Sequence, residues 1–250
     1  MALRERTLAW DGCVNVRDLG GHPTEDGAET RFGAVVRADS VRALSDAGWR
    51  DLVDYGVATI VDLRFQSELE ADPPATLPVD VVHVPLFPEP GSADWDAIDA
   101  VADAGTDRVA TVRAVYLELL ERRPRAFAAA VTAVADAPPG GVVVHCAAGK
   151  DRTGLVSALL LRLAGVGVAE VAADYAESER NLAPLWRSWI EEGEDEPERE
   201  RRRQLTVTPA AVMTGVVDEL ERRYGAVRAY LRAGGATDDS LDRAVARLRG

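Results

Sequence analysis

The chain has 250 residues, of which 47% are hydrophobic and 28% charged, a composition typical of a folded protein with a sizeable core. Its formal net charge of −13 and pI near 4.8 argue against nucleic-acid binding and weaken any case for docking on anionic membranes, because both need a basic face. An anion bound by this protein must therefore meet positive charge that is concentrated locally.

The N-terminus and the cysteine count exclude further classes of protein. The first residues lack the apolar core and cleavage pattern of a signal peptide, and the longest apolar runs are too short to cross a bilayer. Cys13 and Cys146 are too few for a disulfide scaffold or a structural zinc site. We therefore expect no cofactor, no metal and no integral membrane segment, in a protein that is cytoplasmic or exported without a visible signal.

Strand and helix patterns alternate along the chain. Short runs rich in Val and Ile predict buried strands at 34–38, 57–63, 79–85 and 141–146. Apolar residues at helical spacing predict helices at 45–56, 108–121, 125–136, 152–164 and 209–233. We expect Ser45 to cap the first of these helices and Ser240 to cap a last short one. Because alternating strands and helices form parallel sheets, the sequence predicts an α/β fold with a mainly parallel central sheet flanked by helices.

One segment is strongly biased in composition. Residues 191–203 read EEGEDEPERERRR, and the simplest interpretation is a solvated loop or helix end. An apolar cluster precedes it, made of Leu185, Trp186, Trp189 and Ile190. This cluster is either ordinary core or a mobile amphipathic cover over a site, and the sequence leaves both interpretations open.

The stretch VVVHCAAGKDRTG, at 142–154, contains Lys150, the only lysine in a chain with 28 arginines. It places a loop between a buried strand and a helix, which is where parallel α/β sheets bind their ligands. The free N–H groups and the positive dipole end of such a helix favour phosphate. Gly149 permits a tight turn and Gly154 permits close packing at the helix start, so this stretch predicts an anion pocket.

The residue types in this loop indicate cysteine chemistry. The helix N-terminus and nearby cations favour the thiolate of Cys146, which is then a nucleophile for phosphorus. Arg152 offers a planar fork for two phosphate oxygens, and the Thr153 hydroxyl can steady the sulfur as a leaving group. The other loop residues expected to bind phosphate or shape its pocket are His145, Ala147, Ala148, Gly149 and Lys150. The predicted reaction is phosphoryl transfer to sulfur, followed by attack of water.

The segment HCAAGKDRTG resembles the signature loop of cysteine-dependent phosphatases, in the form found in bacterial tyrosine phosphatases and their lipid-phosphatase relatives. The segments at 15–21, 35–70 and 171–181 also resemble this family, so the likeness covers most of the chain. It implies a cysteine-phosphatase-like fold with Cys146 as nucleophile and Arg152 as phosphate ligand.

The same resemblance implies what the protein acts on and how its site is covered. We expect a single phosphatase domain over 1–250, with a phosphotyrosine protein or a phosphoinositide as substrate and inorganic phosphate bound in the active site. Because some members of the family have helical lids over deep pockets, residues 184–205 are a candidate mobile lid.

Three carboxylates are candidates for the general acid that protonates the leaving oxygen. Asp151 lies within the phosphate loop, whereas Glu89 stands where relatives can carry an Asp on a separate loop. Asp62 ends a predicted strand, and for it we expect an ion pair with Arg17 or Arg64 rather than catalysis. We therefore favour Asp151 as the acid.

Substrate choice and the role of the lysine stay open at the level of sequence. Lys150 carries a compact charge that either favours the Cys146 thiolate or reaches a second phosphate. Protein-tyrosine phosphatase is the leading hypothesis; the alternatives are a phosphoinositide or dual-specificity phosphatase, a non-catalytic phosphate-binding module and a sulfurtransferase. Cys13, His22 and His83 are expected to be structural.

Overall fold

The computed structural model describes residues 5–72, 79–105 and 107–250 of the chain. Its strands are β1 (Arg17–Asp18), β2 (Val35–Ala38), β3 (Val57–Asp62), β4 (Asp80–His83) and β5 (Gly141–His145). They form one sheet in the order β1-β2-β5-β3-β4, in which β2 to β5 are parallel and β1 pairs antiparallel with β2. The mainly parallel α/β fold expected from the sequence is thereby confirmed.

Helices cover both faces of this sheet. Those within the described ranges are α1 (Asp46–Asp54), α2 (Gln66–Ala71), α3 (Ala93–Asp103), α4 (Arg108–Arg122), α5 (Pro124–Asp136), α6 (Asp151–Leu163), α7 (Val168–Glu191), α8 (Glu196–Thr206), α9 (Ala210–Tyr224), α10 (Val227–Ala233) and α11 (Asp238–Arg249). The Ser45 side chain accepts the N–H groups of Ala47 and Gly48, which confirms the predicted cap of α1. In the part of the chain described, no helix has both the length and the apolarity to span a bilayer.

Two details of the predicted C-terminal helices were wrong. The segment 209–233 is not one helix, because the chain turns at Gly225, whose φ of +82° lies in the left-handed region and ends α9. The cap of α11 is Thr237, whose side chain accepts the Ser240 N–H, so Ser240 lies inside the first turn. Ser240 completes a capping box there, and the helix it was expected to begin has 12 residues.

The sheet is buried on both faces, which explains why its strands lack an alternating pattern. In β5, Val142 and Val144 contribute to the larger apolar cluster, formed with α4 to α7 and α9 to α11. Val143 contributes instead to a smaller cluster with Trp10 and Leu52 on the other face. Both clusters hold β5 at the centre of the sheet.

The sheet order decides where the loop after β5 leaves the protein. Because β5 lies between β2 and β3, His145 stands opposite both Ala38 and Asp62. The chain beyond His145 therefore emerges between the ends of two other parallel strands and runs directly into the N-terminus of α6. Groups that follow β2 and β3 are thus brought to the same edge as Cys146.

Candidate active site

Cys146 lies at the start of the loop between β5 and α6 and is buried, with 3% of its surface exposed. The turn that follows depends on Gly149, which has a φ of +66°. A Cβ atom there would lie 2.4 Å from the backbone oxygen of Ala38, so a larger residue fits neither the turn nor the space. At Gly154 a Cβ would lie 3.0 Å from the ring of Tyr175, which accounts for the second glycine at the helix start.

Three consecutive carbonyl groups of the loop are hydrogen-bonded from outside. The bonds join the Ala147 oxygen to the Ser40 N–H (2.8 Å), the Ala148 oxygen to Asn15 Nδ2 (3.0 Å) and the Gly149 oxygen to Arg37 Nη2 (2.7 Å). The described chain contains no cis peptide bond, and in a trans peptide the N–H points opposite to the C=O. The N–H groups of residues 148–150 therefore face away from these partners, in the arrangement that an anion requires.

A buried ionic cluster fixes the arginine that holds this loop. Asp174 lies between Arg17 (2.9 Å) and Arg37 (2.5 Å), and all three side chains are at most 1% exposed. Burial raises the pKa of Asp174, but Arg17 and Arg37 outweigh it and hold that pKa far below its ordinary value. A charged Asp174 therefore orients Arg37, and Arg37 orients the loop.

Arg152 lies in the first turn of α6 and is paired with Glu68 of α2. Glu68 Oε2 accepts from Nη1 and Oε1 accepts from Nη2 at 3.3 Å, while the guanidinium packs over the ring of Phe65 at 4.6 Å. Burial alone would lower the pKa of Arg152, but Cys146 and Glu68 raise it by more, so the net pKa lies above its ordinary value. The side chain is therefore a permanent cation. Glu68 binds the two Nη atoms of the guanidinium. The side of the guanidinium that carries Nε–H is therefore left to donate to two oxygens of an anion.

His145 and Asp62 end neighbouring strands beside the loop. The pKa of His145 is lowered, chiefly by burial, and its Nδ1 lies 3.1 Å from the Cys146 oxygen. Asp62 accepts from Arg64 Nε at 3.1 Å (Oδ1) and 3.0 Å (Oδ2) and from Arg64 Nη2 at 2.8 Å (Oδ2). Burial alone would raise the pKa of Asp62, but Arg64 lowers it below the usual value. Asp62 is therefore an ionised carboxylate at the end of β3, and its partner Arg64 is one of the two arginines expected from the sequence.

Asp151, the first residue of α6, is held by Tyr116, which in turn contacts Tyr175. The Tyr116 hydroxyl donates to Asp151 Oδ1 and lies 3.0 Å from the hydroxyl of Tyr175. Burial and the charge of Asp151 raise the pKa of Tyr116 well above its ordinary value, so this phenol stays a donor. Because Tyr116 engages one oxygen of Asp151, the other oxygen is left for a partner in the pocket.

Glu89, by contrast, is used at the start of α2. It accepts the N–H of Gln66 at 2.6 Å and the hydroxyl of Ser67 at 2.7 Å. The Ser67 hydrogen bond lowers the pKa of Glu89, and both of its carboxylate oxygens are engaged at the start of α2.

Lys150 reaches away from the loop toward α7 and α8. Its Nζ donates to the backbone oxygen of Leu205 at 2.8 Å and lies 5.3 Å from the centre of the Trp186 ring. The ammonium is also 3.7 Å from Asp151 Oδ1. The single lysine therefore connects the phosphate loop to the segment proposed from sequence as a lid.

Two further features complete the site. Thr153 is fully buried, and its hydroxyl has no hydrogen-bond partner among the described residues, so it is available to sulfur or to a phosphate oxygen. A cavity of about 320 Å³ adjoins Asp151 and Arg152, with Phe65, Phe87 and Tyr116 in its wall. Across the described ranges, no group of three or more His, Cys, Asp or Glu residues is placed to hold a metal ion.

The sequence pattern did not indicate several of these residues. Asn15, Arg37, Glu68, Tyr116 and Asp174 come from distant parts of the chain and act through tertiary contacts. Asn15, Arg37, Glu68 and Asp174 lie in segments that resemble the family, and this was a signal without an assigned role. No local spacing distinguishes Glu68 or Tyr116 from other helical residues.

Comparison with known proteins assigns the chain to a family. A family model described as "Tyrosine phosphatase family" matches residues 8–250. The triple specificity protein phosphatase PtpB of Mycobacterium tuberculosis is 28% identical, covering 97% of this chain and 98% of its own. A putative tyrosine-protein phosphatase of Cupriavidus necator is 30% identical over 97% and 87% of the two chains, and a tyrosine-protein phosphatase of Nostoc commune is 29% identical over 86% and 74%. The chain belongs to the tyrosine phosphatase family.

Proposed function

We propose that the protein hydrolyses phosphotyrosine in proteins through a phosphocysteine intermediate formed on Cys146. The observation that carries this proposal is the loop in which three carbonyls are tied outward while Arg152, held by Glu68, lies within electrostatic reach of Cys146. This arrangement supplies N–H donors and a fixed cation where phosphoryl transfer concentrates negative charge. The match over 8–250 supports one phosphatase domain.

The first chemical step exchanges one bond to phosphorus for another. Cys146 Sγ attacks phosphorus, and the bond from phosphorus to the tyrosine oxygen breaks. Asp151 donates its proton to that oxygen, while Arg152 and the loop amides hold the three other oxygens.

The second step restores the enzyme. Water attacks phosphorus, Asp151 accepts a proton from that water, and the P–S bond breaks to release phosphate and the thiolate. The buried Thr153 hydroxyl is suited to donate to the sulfur as it leaves.

Asp151 is our candidate for the acid because of where the other two carboxylates are engaged. Asp62 is ion-paired with Arg64 and Glu89 caps α2. Asp151 lines the cavity beside Arg152 and keeps one oxygen free of Tyr116. The Asp151→Asn variant should lose much more activity on a phosphotyrosine peptide than on p-nitrophenyl phosphate, since a weakly basic leaving group needs less protonation. Equal losses on both would remove Asp151 from this role.

We also propose that residues 184–205 form a lid. The segment comprises the end of α7 and most of α8, with Leu185 and Trp189 exposed at 52% and 37%. Arg202 bonds the Trp189 oxygen and stacks on its ring at 5.0 Å, so the two helices form one unit. The segment is joined to the loop between β5 and α6 by the hydrogen bond from Lys150 Nζ to the Leu205 backbone oxygen.

A phosphoinositide phosphatase is the second candidate, and one observation favours it. Lys150 places a compact cation one residue before Asp151, and this cation is suited to a second phosphate. The name of the Mycobacterium tuberculosis relative, triple specificity protein phosphatase, is compatible with a broad substrate range.

The proposed function is tested by turnover and by trapping. Wild-type protein should hydrolyse p-nitrophenyl phosphate and a phosphotyrosine peptide, and Cys146→Ser should abolish both without loss of folding. Parallel kcat/KM values on the peptide and on a soluble phosphoinositide then decide between the two substrates. Phosphate binding without turnover would make the protein a binding module, and thiosulfate-to-cyanide transfer would make it a sulfurtransferase.

A further inference from the structure

The cavity beside the phosphate loop has a second cation in its wall. Arg108, the first residue of α4, lines it together with Asp151 and Arg152. Arg108 plays no part in the phosphate loop, and it was not among the residues that the sequence pattern distinguished.

Among the residues that the structure describes, none pairs with the Nε of Arg108. This nitrogen is buried without a hydrogen-bond partner, in a side chain that is itself half-buried. Asp151, on the same cavity wall, contacts Tyr116 and Lys150 instead. A buried donor without an acceptor is costly, so this guanidinium is suited to an anionic group that comes from outside the protein.

The rest of the cavity wall indicates the kind of molecule that brings this group. Phe65 packs edge-on against Phe87 at 6.4 Å and against Trp95 at 5.8 Å, and Val112 and Val115 line the same space. Aromatic and aliphatic walls match a phenyl ring, whereas the hydroxyls of an inositol ring would lose their hydrogen bonds there. The cavity of about 320 Å³ is at the lower end of the range for small-molecule sites, about 300–1,000 Å³.

We propose that Arg108 is a subsite for an acidic side chain that neighbours phosphotyrosine in a protein substrate. This inference rests on the proposed function, because it takes the phosphorylated ring to lie along Phe65 with its phosphate at Arg152. A carboxylate one or two residues away then meets Arg108. The protein's net charge of −13 disfavours acidic substrates in general, so this local cation selects which acidic position is accepted.

The test uses a set of phosphotyrosine peptides in which a single Glu is placed at each position within two residues of the phosphotyrosine, with matched Gln peptides. For wild-type protein, at least one Glu peptide should exceed its Gln counterpart about tenfold in kcat/KM, as one charge-assisted hydrogen bond provides, mainly through KM. Arg108→Gln should reduce that ratio to about one. Arg113→Gln is the control, since Arg113 is exposed on the same helix and packs against Gly215, outside this cavity.

Several results would overturn the proposal. These are a wild-type protein with no preference for any Glu peptide, a preference that survives in Arg108→Gln, and an equal loss on Glu and Gln peptides. A loss confined to soluble phosphoinositide would assign the subsite to a lipid head group and refute the peptide. Each differs from failure of the proposed function, in which wild-type protein would hydrolyse neither the Gln peptides nor p-nitrophenyl phosphate.

Discussion

The ion pair between Glu68 and Arg152 offers the sharpest test of how Arg152, the proposed phosphate ligand, is held. Replacing Glu68 with Gln keeps the size of the side chain and its ability to accept the Phe65 N–H at 2.7 Å, so the start of α2 is preserved. The substitution removes the charge that fixes the guanidinium and replaces the oxygen that accepts from Arg152 Nη2 with an amide NH2 group. Its effect therefore reports on Arg152 rather than on the helix.

The magnitude follows from the exposure of the two partners. Arg152 and Glu68 are 10% and 29% exposed, between a buried pair, whose disruption costs about 3–5 kcal/mol, and a surface pair, worth about 0–1 kcal/mol. An intermediate value of about 2 kcal/mol corresponds to roughly a 30-fold loss in kcat if the fork must be fixed in the transition state. Binding of phosphate itself should change less than about tenfold, because loss of orientation is offset by removal of a nearby negative charge.

The assay measures kcat on a phosphotyrosine peptide together with the inhibition constant of inorganic phosphate, at one ionic strength. Glu70→Gln is the matched control, since Glu70 lies on the same helix and contacts only the exposed Gln66 side chain at 3.0 Å among its described partners. Urea unfolding of both variants separates a loss of orientation from a loss of folded protein. If Glu68→Gln lowers kcat no more than Glu70→Gln does, the positioning argument is wrong.

Three other predictions follow from the described contacts. Asp174→Asn should lower the free energy of unfolding by about 3 kcal/mol, because two buried arginines lose their charged partner. Since the pKa of Asp174 is depressed in the folded protein, the difference in stability between wild type and variant should be complete above the unfolded pKa of about 4 and should shrink as the pH falls below it. Urea titrations at several pH values would show this. Peroxide should oxidise Cys146 before Cys13, because burial and Asp39 raise the pKa of Cys13. Phosphate or vanadate should protect Cys146 from this oxidation. Mass spectrometry that finds Cys13 alone modified would refute the prediction. Lys150→Arg should lose more activity on a phosphoinositide than on phosphotyrosine, whereas equal losses would assign the lysine to the thiolate.

The loop between β5 and α6 could be located from the sequence because its residues are contiguous. Cys146, Gly149 and Arg152 are separated by a few residues, and the strand before them and the helix after them have clear patterns. The parallel sheet could also be predicted from the sequence, because β3 and β5 consist mostly of apolar residues and are buried on both faces. These features depend on local sequence, where periodicity and glycine placement have direct physical causes.

The supports of the loop could not be predicted because they depend on the tertiary fold. Arg37 and Asp174 are separated by 137 residues in sequence, and Glu68 and Arg152 by 84, yet each pair is in direct contact. The short antiparallel β1, which places Asn15 beside the loop, has only two residues and no strand pattern. A single sequence does not carry such pairings, because each side chain alone is compatible with an ordinary surface charge.

The unique lysine is explained by its contacts as well as by its charge. An ammonium on a flexible stem can donate to one backbone oxygen, that of Leu205, while it lies over the Trp186 ring, whereas a guanidinium would present a broad planar group needing several acceptors. This contact ties the phosphate loop to α8, and a second phosphate that reaches Lys150 competes with the Leu205 oxygen for the ammonium. Polyphosphorylated substrates are therefore expected to loosen the segment 184–205 when they bind, while a phosphotyrosine peptide leaves that bond in place.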